Sequence, residues 1–296
     1  MNGHISGLIT ALLTPFDKFG EVKEDSLRNL VEFQIKGGVD GLFLCGTAGS
    51  GALMRQDQRI KVFQTVMAQS DSRIKVLAHV GSTSTEEAVT LAKEAANIGV
   101  DALVAVPPFY MKPDEESIIN YFKTIAKASE LPLYVYNIPG NALNAVSPDM
   151  MLKLSEVENI VGIKDSSRDF INLLEYIRVL PEGFDVICGS DSYIYPAMFM
   201  GAKGCITGYA NPFPEIYSSF MKSINEGDHE EAKKRQFYIT ELRKAFQKPP
   251  LAPHYEALRL RGIDAGYPRP PLRALKPEEK ETLRNKLIKL GALECC

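Results

Sequence analysis

The sequence predicts an α/β protein, a (β/α)8 TIM barrel followed by a C-terminal helical extension. Short apolar runs alternate with helix-length amphipathic segments, and the apolar runs recur about every 20 to 35 residues, which fits βαβ units of roughly 30 residues. Eight such units favour a closed barrel. An open doubly wound sheet would more naturally carry a G-x-G-x-x-G turn after its first strand, and the sequence has none there.

The eight predicted strands are apolar runs rich in β-branched and aromatic residues. They span residues 7–14, 41–46, 75–81, 102–107, 132–137, 160–164, 185–189 and 204–209. Segments with helical periodicity lie between them, among them residues 25–37, 57–70, 84–98, 114–129 and 168–180. This order places helices on the outside of the barrel.

Two regions are expected along the chain. Residues 1–226 hold the eight strands and the helix that closes the barrel, and we expect them to form the catalytic barrel. Residues 227–296 have further helical patterns and form the C-terminal helical extension. The stretch GYPRPP at 266–271 interrupts the extension, because its prolines cannot continue a helix.

Composition narrows the class of protein. The chain has 296 residues, a formal net charge of −3 and a pI near 5.9, which gives no electrostatic support for nucleic-acid binding. No apolar run approaches the ~18 residues of a membrane span, and the first residues lack a signal-peptide pattern. The cysteines form no C-x-x-C pair, which favours reduced thiols and a cytoplasmic location. They are Cys45, Cys188, Cys205, Cys295 and Cys296.

In a barrel the chemistry sits at the carboxyl ends of the strands. These ends bring together a lysine, tyrosines and hydroxyl groups, with few acids and no histidine cluster. They comprise Thr14, GTAGSG at 46–51, PPFY at 107–110, Tyr136, Lys164, GSD at 189–191 and TGYAN at 207–211. We expect no metal site, because Asp191 alone supplies neither the number nor the spacing of ligands.

Lys164 ends the sixth predicted strand, IVGIK. Strand alternation puts Gly162 and Lys164 on one face, which we assign to the barrel axis, with Gly162 leaving room beneath the lysine stem. The same alternation turns Tyr136 inward. A lysine desolvated there has a lowered pKa and more neutral, nucleophilic amine. The alternative is that Lys164 simply pairs with Asp165 or another carboxylate, and the residues alone do not decide between the two.

The loop GTAGSG at 46–51 also has two interpretations. Glycine-rich turns of this kind are common, and this one lacks the Lys-Ser/Thr of a phosphate-binding P-loop. Its functional interpretation is a run of backbone N–H groups that hold a carboxylate or phosphate.

Taken together, these residues resemble the pyruvate-dependent class I aldolases grouped with dihydrodipicolinate synthase and N-acetylneuraminate lyase. The resemblance covers nearly the whole chain, in family order and at family spacing. The matching stretches are TALLTPFD (10–17), GTAGSG (46–51), VPPFYMKP (106–113), YNIPG (136–140), GIKDSS (162–167) and GSDSY (189–193). It implies a barrel fold, usually as a homotetramer, and no cofactor beyond a covalent imine with Lys164.

The resemblance implies four catalytic roles. Lys164 matches the lysine that forms a Schiff base with the keto group of pyruvate. Tyr136 matches the tyrosine that passes protons to and from the substrate hydroxyl. Thr47 matches the hydroxyl residue that relays protons to that tyrosine, and it also counts among the substrate-binding residues. Tyr110 resembles the tyrosine that reaches across a subunit interface in the synthases.

The resemblance also implies substrate-binding positions. Ala48 occupies a loop position that is often threonine, where its backbone N–H is expected to hold the substrate carboxylate. Ile206 matches a position whose backbone lies against bound pyruvate. Gly189 and Asp191, in the GSDSY stretch, complete the expected set.

Departures from the family pattern point to the substrate. Synthases that use aspartate semialdehyde usually carry an arginine where this chain has Asn141. Sialic acid lyases usually have Asp-Glu where this chain has Asp191 and Ser192, and the glutamate common after the second loop glycine is Ser50 here. This combination looks closest to 2-keto-3-deoxygluconate aldolases. Relatives that also cleave the phosphorylated sugar acid often carry a tyrosine at the position of Ile138.

The sequence therefore predicts a lyase that reversibly cleaves a 2-keto-3-deoxy sugar acid to pyruvate and an aldehyde. Three alternatives stay open: a 4-hydroxy-tetrahydrodipicolinate synthase, a dehydratase on a related keto acid, and an inactive barrel with a binding role. The expected partners are small molecules and further copies of this chain, with no nucleic acid and no membrane.

Overall fold

A computed structural model describes residues 4–246 and 249–294. Eight parallel strands form a closed barrel in sequence order, and β1 pairs with β8 to close it. The strands are Gly7–Ala11 (β1), Gly41–Leu44 (β2), Lys75–His79 (β3), Ala102–Ala105 (β4), Leu133–Asn137 (β5), Ile160–Asp165 (β6), Asp185–Cys188 (β7) and Gly204–Thr207 (β8). The predicted (β/α)8 fold is confirmed. Most strands end a few residues earlier than predicted, and the remaining residues of each predicted strand lie in loops.

Helices follow the strands and cover the outside of the barrel. They span Glu24–Lys36 (α1), Gln56–Ser70 (α2), Thr85–Ile98 (α3), Glu115–Ala126 (α4), Pro139–Ala142 (α5), Pro148–Leu154 (α6), Phe170–Val179 (α7), Ile194–Phe199 (α8), Pro214–Asn225 (α9), His229–Ala245 (α10), Ala252–Leu260 (α11) and Pro277–Lys289 (α12). The five predicted helical segments are each present within a few residues. The two short helices between β5 and β6 were not predicted.

Side-chain caps fix where several of these helices begin. The side chains of Ser84, Asp114 and Asp169 each accept a hydrogen bond from the backbone N–H three residues later, at the start of α3, α4 and α7. A capping oxygen satisfies one of the N–H groups that the first helical turn leaves without a partner. The chain therefore leaves each of these loops in a defined direction.

The strands are buried on both faces, as expected for a parallel sheet enclosed by helices. Every residue of β2, β4, β5, β7 and β8 is buried. One continuous hydrophobic cluster joins the barrel interior to the surrounding helices. A densely packed apolar wall therefore holds the polar groups at the carboxyl ends of the strands.

The pairing of β5 with β6 sets the geometry of the lysine. Tyr136 lies directly opposite Lys164, and Tyr134 lies opposite Gly162. A Cβ on Gly162 would lie 2.5 Å from Cε1 of Tyr134 and 2.6 Å from the carbonyl oxygen of Asp185. Gly162 thus makes room for the ring of Tyr134, which is a correction to the expectation that it clears space for the lysine stem.

The C-terminal extension fastens onto the carboxyl-end face of the barrel. The hydroxyl of Tyr255 donates to the carbonyl of Thr14 over 2.9 Å, and the backbone N–H of Tyr267 donates to the carbonyl of Phe16 over 2.8 Å. Both acceptors lie in the loop after β1. The extension is therefore part of the architecture around the strand ends.

Cys45, Cys188 and Cys205 are free and buried, and burial raises the pKa of the thiols of Cys45 and Cys188 to about 12. Cys295 and Cys296 lie outside the described residues. Within residues 4–246 and 249–294, no helix has the length and apolar character to cross a membrane.

We expect Gly162→Ala to lower the free energy of unfolding by about 1–3 kcal/mol, because the new methyl group overpacks the Tyr134 ring. Gly140→Ala is the matched control, since a Cβ there meets nothing within 4 Å. Chemical denaturation of both variants measures the effect. Equal stability of the two variants would contradict the steric role assigned to Gly162.

Candidate active site

Lys164 is a buried lysine without a counter-anion. Its residue is 4% exposed, and none of the described carboxylates forms an ion pair with its amine. Asp165, the partner considered from sequence, instead accepts hydrogen bonds from Asn137 (2.7 Å) and from the hydroxyl of Ser167 (2.8 Å). The structural pairing of Lys164 with Asp165 is therefore absent.

Aromatic rings take the place of a carboxylate around the lysine. The Nζ of Lys164 lies 3.9 Å from the ring centroid of Tyr136 and 4.6 Å from that of Phe43. Phe43 was not among the candidates from sequence, although alternation along β2 puts Gly41 and Phe43 on the same face of that strand. That face is the one signal that could have identified it.

Burial lowers the pKa of Lys164 below its ordinary value. The hydroxyl of Tyr136 and the carboxylate of Asp191 act in the opposite direction, but desolvation is the largest effect. The lysine therefore has more neutral amine at a given pH than an exposed lysine, which is what a nucleophile needs.

Tyr136 and Thr47 form a hydroxyl pair beside the lysine. Their oxygens are 3.4 Å apart, and Tyr136 is buried at the end of β5. Thr47 is exposed at the start of the glycine-rich loop. The pair links the buried lysine site to the solvent side of the barrel, as a proton relay requires.

The glycine-rich loop is folded so that several of its backbone N–H groups, among them two neighbouring ones, have no acceptor among the described residues. Ser50 and Gly51 donate their backbone N–H groups to the carbonyls of Thr47 and Gly46. The N–H groups of Thr47 and Ala48 have no acceptor among the described residues. Adjacent free N–H groups form a concave anion site, so this loop is suited to hold a carboxylate.

The glycines of this loop are required by close backbone packing. A Cβ on Gly51 would lie 1.7 Å from the carbonyl oxygen of Cys45, and one on Gly49 would lie 2.9 Å from that of Leu12. Thr14 fastens the loop by donating its hydroxyl to the carbonyl of Gly49 over 2.9 Å. The loop conformation is thereby fixed by the strands beneath it.

Asp191 is bound into the framework on the β8 side. Its Oδ1 accepts hydrogen bonds from the hydroxyls of Thr207 (2.5 Å) and Tyr217 (2.7 Å), and burial raises the pKa of its carboxyl. Gly189 lies against Ser166, whose Oγ would be 2.0 Å from a Cβ at that position. Ile206 is buried in β8. Their roles in substrate binding stay predictions.

Tyr110 does not join the site within one chain. It is 81% exposed and has a positive φ of 78°. Asn144 holds its loop by donating to the carbonyls of Pro108 (2.6 Å) and Met111 (2.8 Å). The side chain is thus presented outward on a fixed loop.

His79 is buried on β3, where its ring packs against the rings of Phe43 and Tyr136. Its ring centroid lies 6.0 Å from that of Phe43 and 6.3 Å from that of Tyr136, both nearly perpendicular. The buried guanidinium of Arg59 lies 3.2 Å from Nδ1. Burial, with Arg59 and Lys164 nearby, holds the pKa of His79 well below its usual range. Because arginine can only donate, Nδ1 is the acceptor.

A cavity of about 380 Å³ opens at the level of Thr47. No described residue that lines it is charged at neutral pH. The lining residues are Cys45, Gly46, Thr47, Ser50, Gly51, Ala52, Leu53, His79, Val106, Phe109, Ile138, Asn141, Ala142, Pro250, Leu251 and Leu272. The last three belong to the C-terminal extension, which therefore forms one wall of the cavity.

No group of three or more histidine, cysteine, aspartate or glutamate side chains in the described part of the chain could hold a metal ion. The strand ends instead combine a buried amine, a hydroxyl pair and a loop with free backbone N–H groups. Such a combination is suited to imine chemistry on a keto acid.

Comparison with known proteins identifies the family of this chain and its class of enzyme. Residues 4–290 match the dihydrodipicolinate synthetase family. A 4-hydroxy-tetrahydrodipicolinate synthase of Aquifex aeolicus is 36% identical over 285 residues, which cover 96% of this chain and 97% of that protein. The chain therefore belongs to the dihydrodipicolinate synthetase family, and it is a pyruvate-dependent enzyme of the class I aldolase and lyase type.

Two solved structures superpose closely on this chain. The Escherichia coli K12 prophage protein YagE, in complex with pyruvate, has a TM-score of 0.94 and 26% identity, covering 97% of this chain and 99% of that one. CdNal of Clostridium difficile, in complex with mannosamine, has a TM-score of 0.93 and 29% identity. The match likewise covers 97% of this chain and 99% of that one. The fold is common to these proteins, so the substrate has to be argued from the site.

We expect borohydride to trap a pyruvate adduct on this protein and none on Lys164→Ala. At limiting pyruvate, the trapping rate should rise with pH and level off below pH 10.5, the ordinary lysine pKa, because desolvation keeps more of the amine neutral at lower pH. Intact-mass analysis across the pH range measures both. An adduct on Lys164→Ala would remove Lys164 from this role.

Proposed function

We propose that this protein is an aldolase that reversibly cleaves 2-keto-3-deoxygluconate, or a closely related 2-keto-3-deoxy sugar acid, to pyruvate and glyceraldehyde. The observation that carries the proposal is the uncharged cavity beside the Thr47–Tyr136 pair, with Asn141 in its wall. An uncharged, hydroxyl-bearing aldehyde matches such a cavity. An aldehyde that bears a carboxylate finds no cationic partner among its described residues.

The reaction begins at Lys164. The neutral amine attacks the C2 ketone of the substrate, and with uptake of one proton and loss of water a positively charged iminium forms. The substrate carboxylate is held by the free N–H groups of Thr47 and Ala48. No metal or organic cofactor takes part in this scheme, since the iminium itself withdraws electrons from C3.

Tyr136 then acts on the C4 hydroxyl. It removes the proton, with Thr47 behind it as relay, and the electrons of the C3–C4 bond move toward the iminium. Glyceraldehyde leaves as the C4 carbonyl forms, and the neutral enamine remains on Lys164. Protonation of C3 and hydrolysis release pyruvate and restore the amine.

The synthase is the second candidate, because the curated relative from Aquifex aeolicus reported above carries that name. Its second substrate, aspartate semialdehyde, is a carboxylate. Asn141 offers a neutral amide where a synthase arginine is expected, which argues against binding that charge. Ile138, also in the cavity wall, offers no hydroxyl for a phosphorylated sugar acid.

We further propose a homotetramer in the cytoplasm. Two separate groups of exposed apolar side chains support two kinds of subunit contact, which a tetramer with dihedral symmetry needs. One group is Tyr110 and Met111 on the loop after β4, and the other is Ile171, Phe199, Met200 and Phe237. The free, buried thiols described above support a reducing compartment.

We expect cleavage of 2-keto-3-deoxygluconate to exceed condensation of pyruvate with aspartate semialdehyde, because the cavity has no cation for the second carboxylate. Pyruvate release and condensation product, assayed at equal substrate concentration, measure the preference. A keto product without aldehyde release would instead indicate a dehydratase, and preferred condensation would establish the synthase.

Asn141→Arg tests the basis of this preference. We expect a shift of kcat/KM of at least about tenfold toward aspartate semialdehyde, relative to the sugar acid, since a charge-assisted hydrogen bond is worth about 1.5–3 kcal/mol. Asn141→Gln is the matched control, because it adds length without charge. Identical shifts in both variants would show that charge at this position does not select the substrate.

We expect Tyr136→Phe to keep the borohydride adduct with pyruvate but to cut kcat for cleavage by about 10²–10⁴-fold, because a positioned acid–base group contributes about that factor. Steady-state kinetics and intact mass on the same preparation separate the two steps. Turnover that stays at the level of the unmodified enzyme would contradict the assignment of Tyr136 as the acid–base group.

A further inference from the structure

The cation that forms on Lys164 has no ion-pair partner among the described residues, and the carboxylate of Asp191 favours that cation only from beyond ion-pair distance. The amine is buried, and none of the described carboxylates pairs with it. An unpaired charge in a desolvated site is costly unless another group compensates it. The Nζ lies over two aromatic rings, 3.9 Å from the centroid of Tyr136 and 4.6 Å from that of Phe43.

Phe43 is held so that its face, and not its edge, meets the nitrogen. A Cβ on Gly46 would lie 2.4 Å from Cε1 of the Phe43 ring, so the first glycine of the loop lets the ring edge sit against the backbone. His79 and Tyr136 meet the ring nearly at right angles, at 80° and 82°, with centroids 6.0 and 5.8 Å away. These contacts fix the ring plane.

We infer that Phe43 is a catalytic residue whose ring face stabilises the positively charged iminium formed on Lys164. This inference rests on the proposed function, because it needs that imine. The ring face of an aromatic side chain carries a negative potential and attracts a cation within about 6 Å of the centroid. The 4.6 Å separation lies inside this range.

The stabilisation that the ring of Phe43 provides depends on the step of the reaction. The iminium is positive, the enamine left after C3–C4 cleavage is neutral, and protonation of C3 restores the positive iminium before hydrolysis. The ring therefore favours the two cationic states over the neutral amine and the neutral enamine. An aliphatic side chain of the same volume would exclude water equally well but would offer no attraction.

Progressive fluorination of Phe43 tests this directly, because it weakens the negative ring face with little change in shape. We would introduce 4-fluoro-, 3,5-difluoro- and 3,4,5-trifluorophenylalanine at position 43. The readout is the pyruvate concentration that gives half-maximal borohydride adduct, measured at a pH where the trapping rate has levelled off. There the free amine is neutral, so the iminium is the one cation at this nitrogen.

We expect the half-maximal pyruvate concentration to rise steadily along the series, reaching about tenfold for the trifluoro ring, within the roughly 2- to 30-fold range of such contacts. Phe43→Tyr, which keeps a ring face, should stay within about twofold of the unmodified protein. The same fluorinated residues at Phe63, a fully buried phenylalanine on α2, are the matched control and should leave the value unchanged.

A flat series at position 43, with normal adduct formation by the unmodified protein, would overturn this role for Phe43 and leave the proposed function intact. A rise of the same size at Phe63 would also overturn it, because the effect would then come from fluorine in the core. No adduct on the unmodified protein would withdraw the proposed function and this role together.

Discussion

The rest of the structure depends on one contact, the amine of Lys164 packed against the rings of Tyr136 and Phe43 without a counter-anion. Burial lowers the pKa of the lysine and so favours the neutral amine, and in the proposed mechanism the ring faces favour the cation that follows. A carboxylate in the same place would hold the amine as an ammonium ion. Aromatic walls allow the nitrogen to be neutral in one step and positive in the next.

The barrel provides this contact through backbone register and small residues. Pairing of β5 with β6 sets Tyr136 opposite Lys164, and Gly162 admits the Tyr134 ring one layer below. Gly46 admits the ring of Phe43. The interior of a parallel barrel enclosed by helices is close-packed. The space that these glycines leave therefore determines which large side chains reach the barrel axis. The extension, through Leu251 and its neighbours, then closes one side of the cavity.

Much of this could be predicted from the sequence. The eightfold alternation of apolar and amphipathic segments gave the barrel, and alternation within β6 placed Lys164 on the inner face. Phe43 was missed because a phenylalanine in a buried strand has the same pattern whether it packs or contacts a reacting atom. The wall formed by the extension depends on contacts between residues far apart along the chain, such as Tyr255 with Thr14, which are 241 positions apart. Local periodicity carries no information about such pairings. Tyr110 lies outside the site within one chain, and its expected place at a subunit interface stays a prediction.

The most direct measurement is an NMR spectrum of protein labelled with 15N-lysine and saturated with [2-13C]pyruvate. If Lys164 carries the iminium, we expect one 13C signal at the iminium position, split by a directly bonded 15N, alongside free pyruvate. That signal would establish the covalent bond between the two atoms on which the whole mechanism rests. Signals from the free ketone and its hydrate alone, at saturating pyruvate, would contradict the imine and leave Lys164 as a buried lysine without a catalytic role.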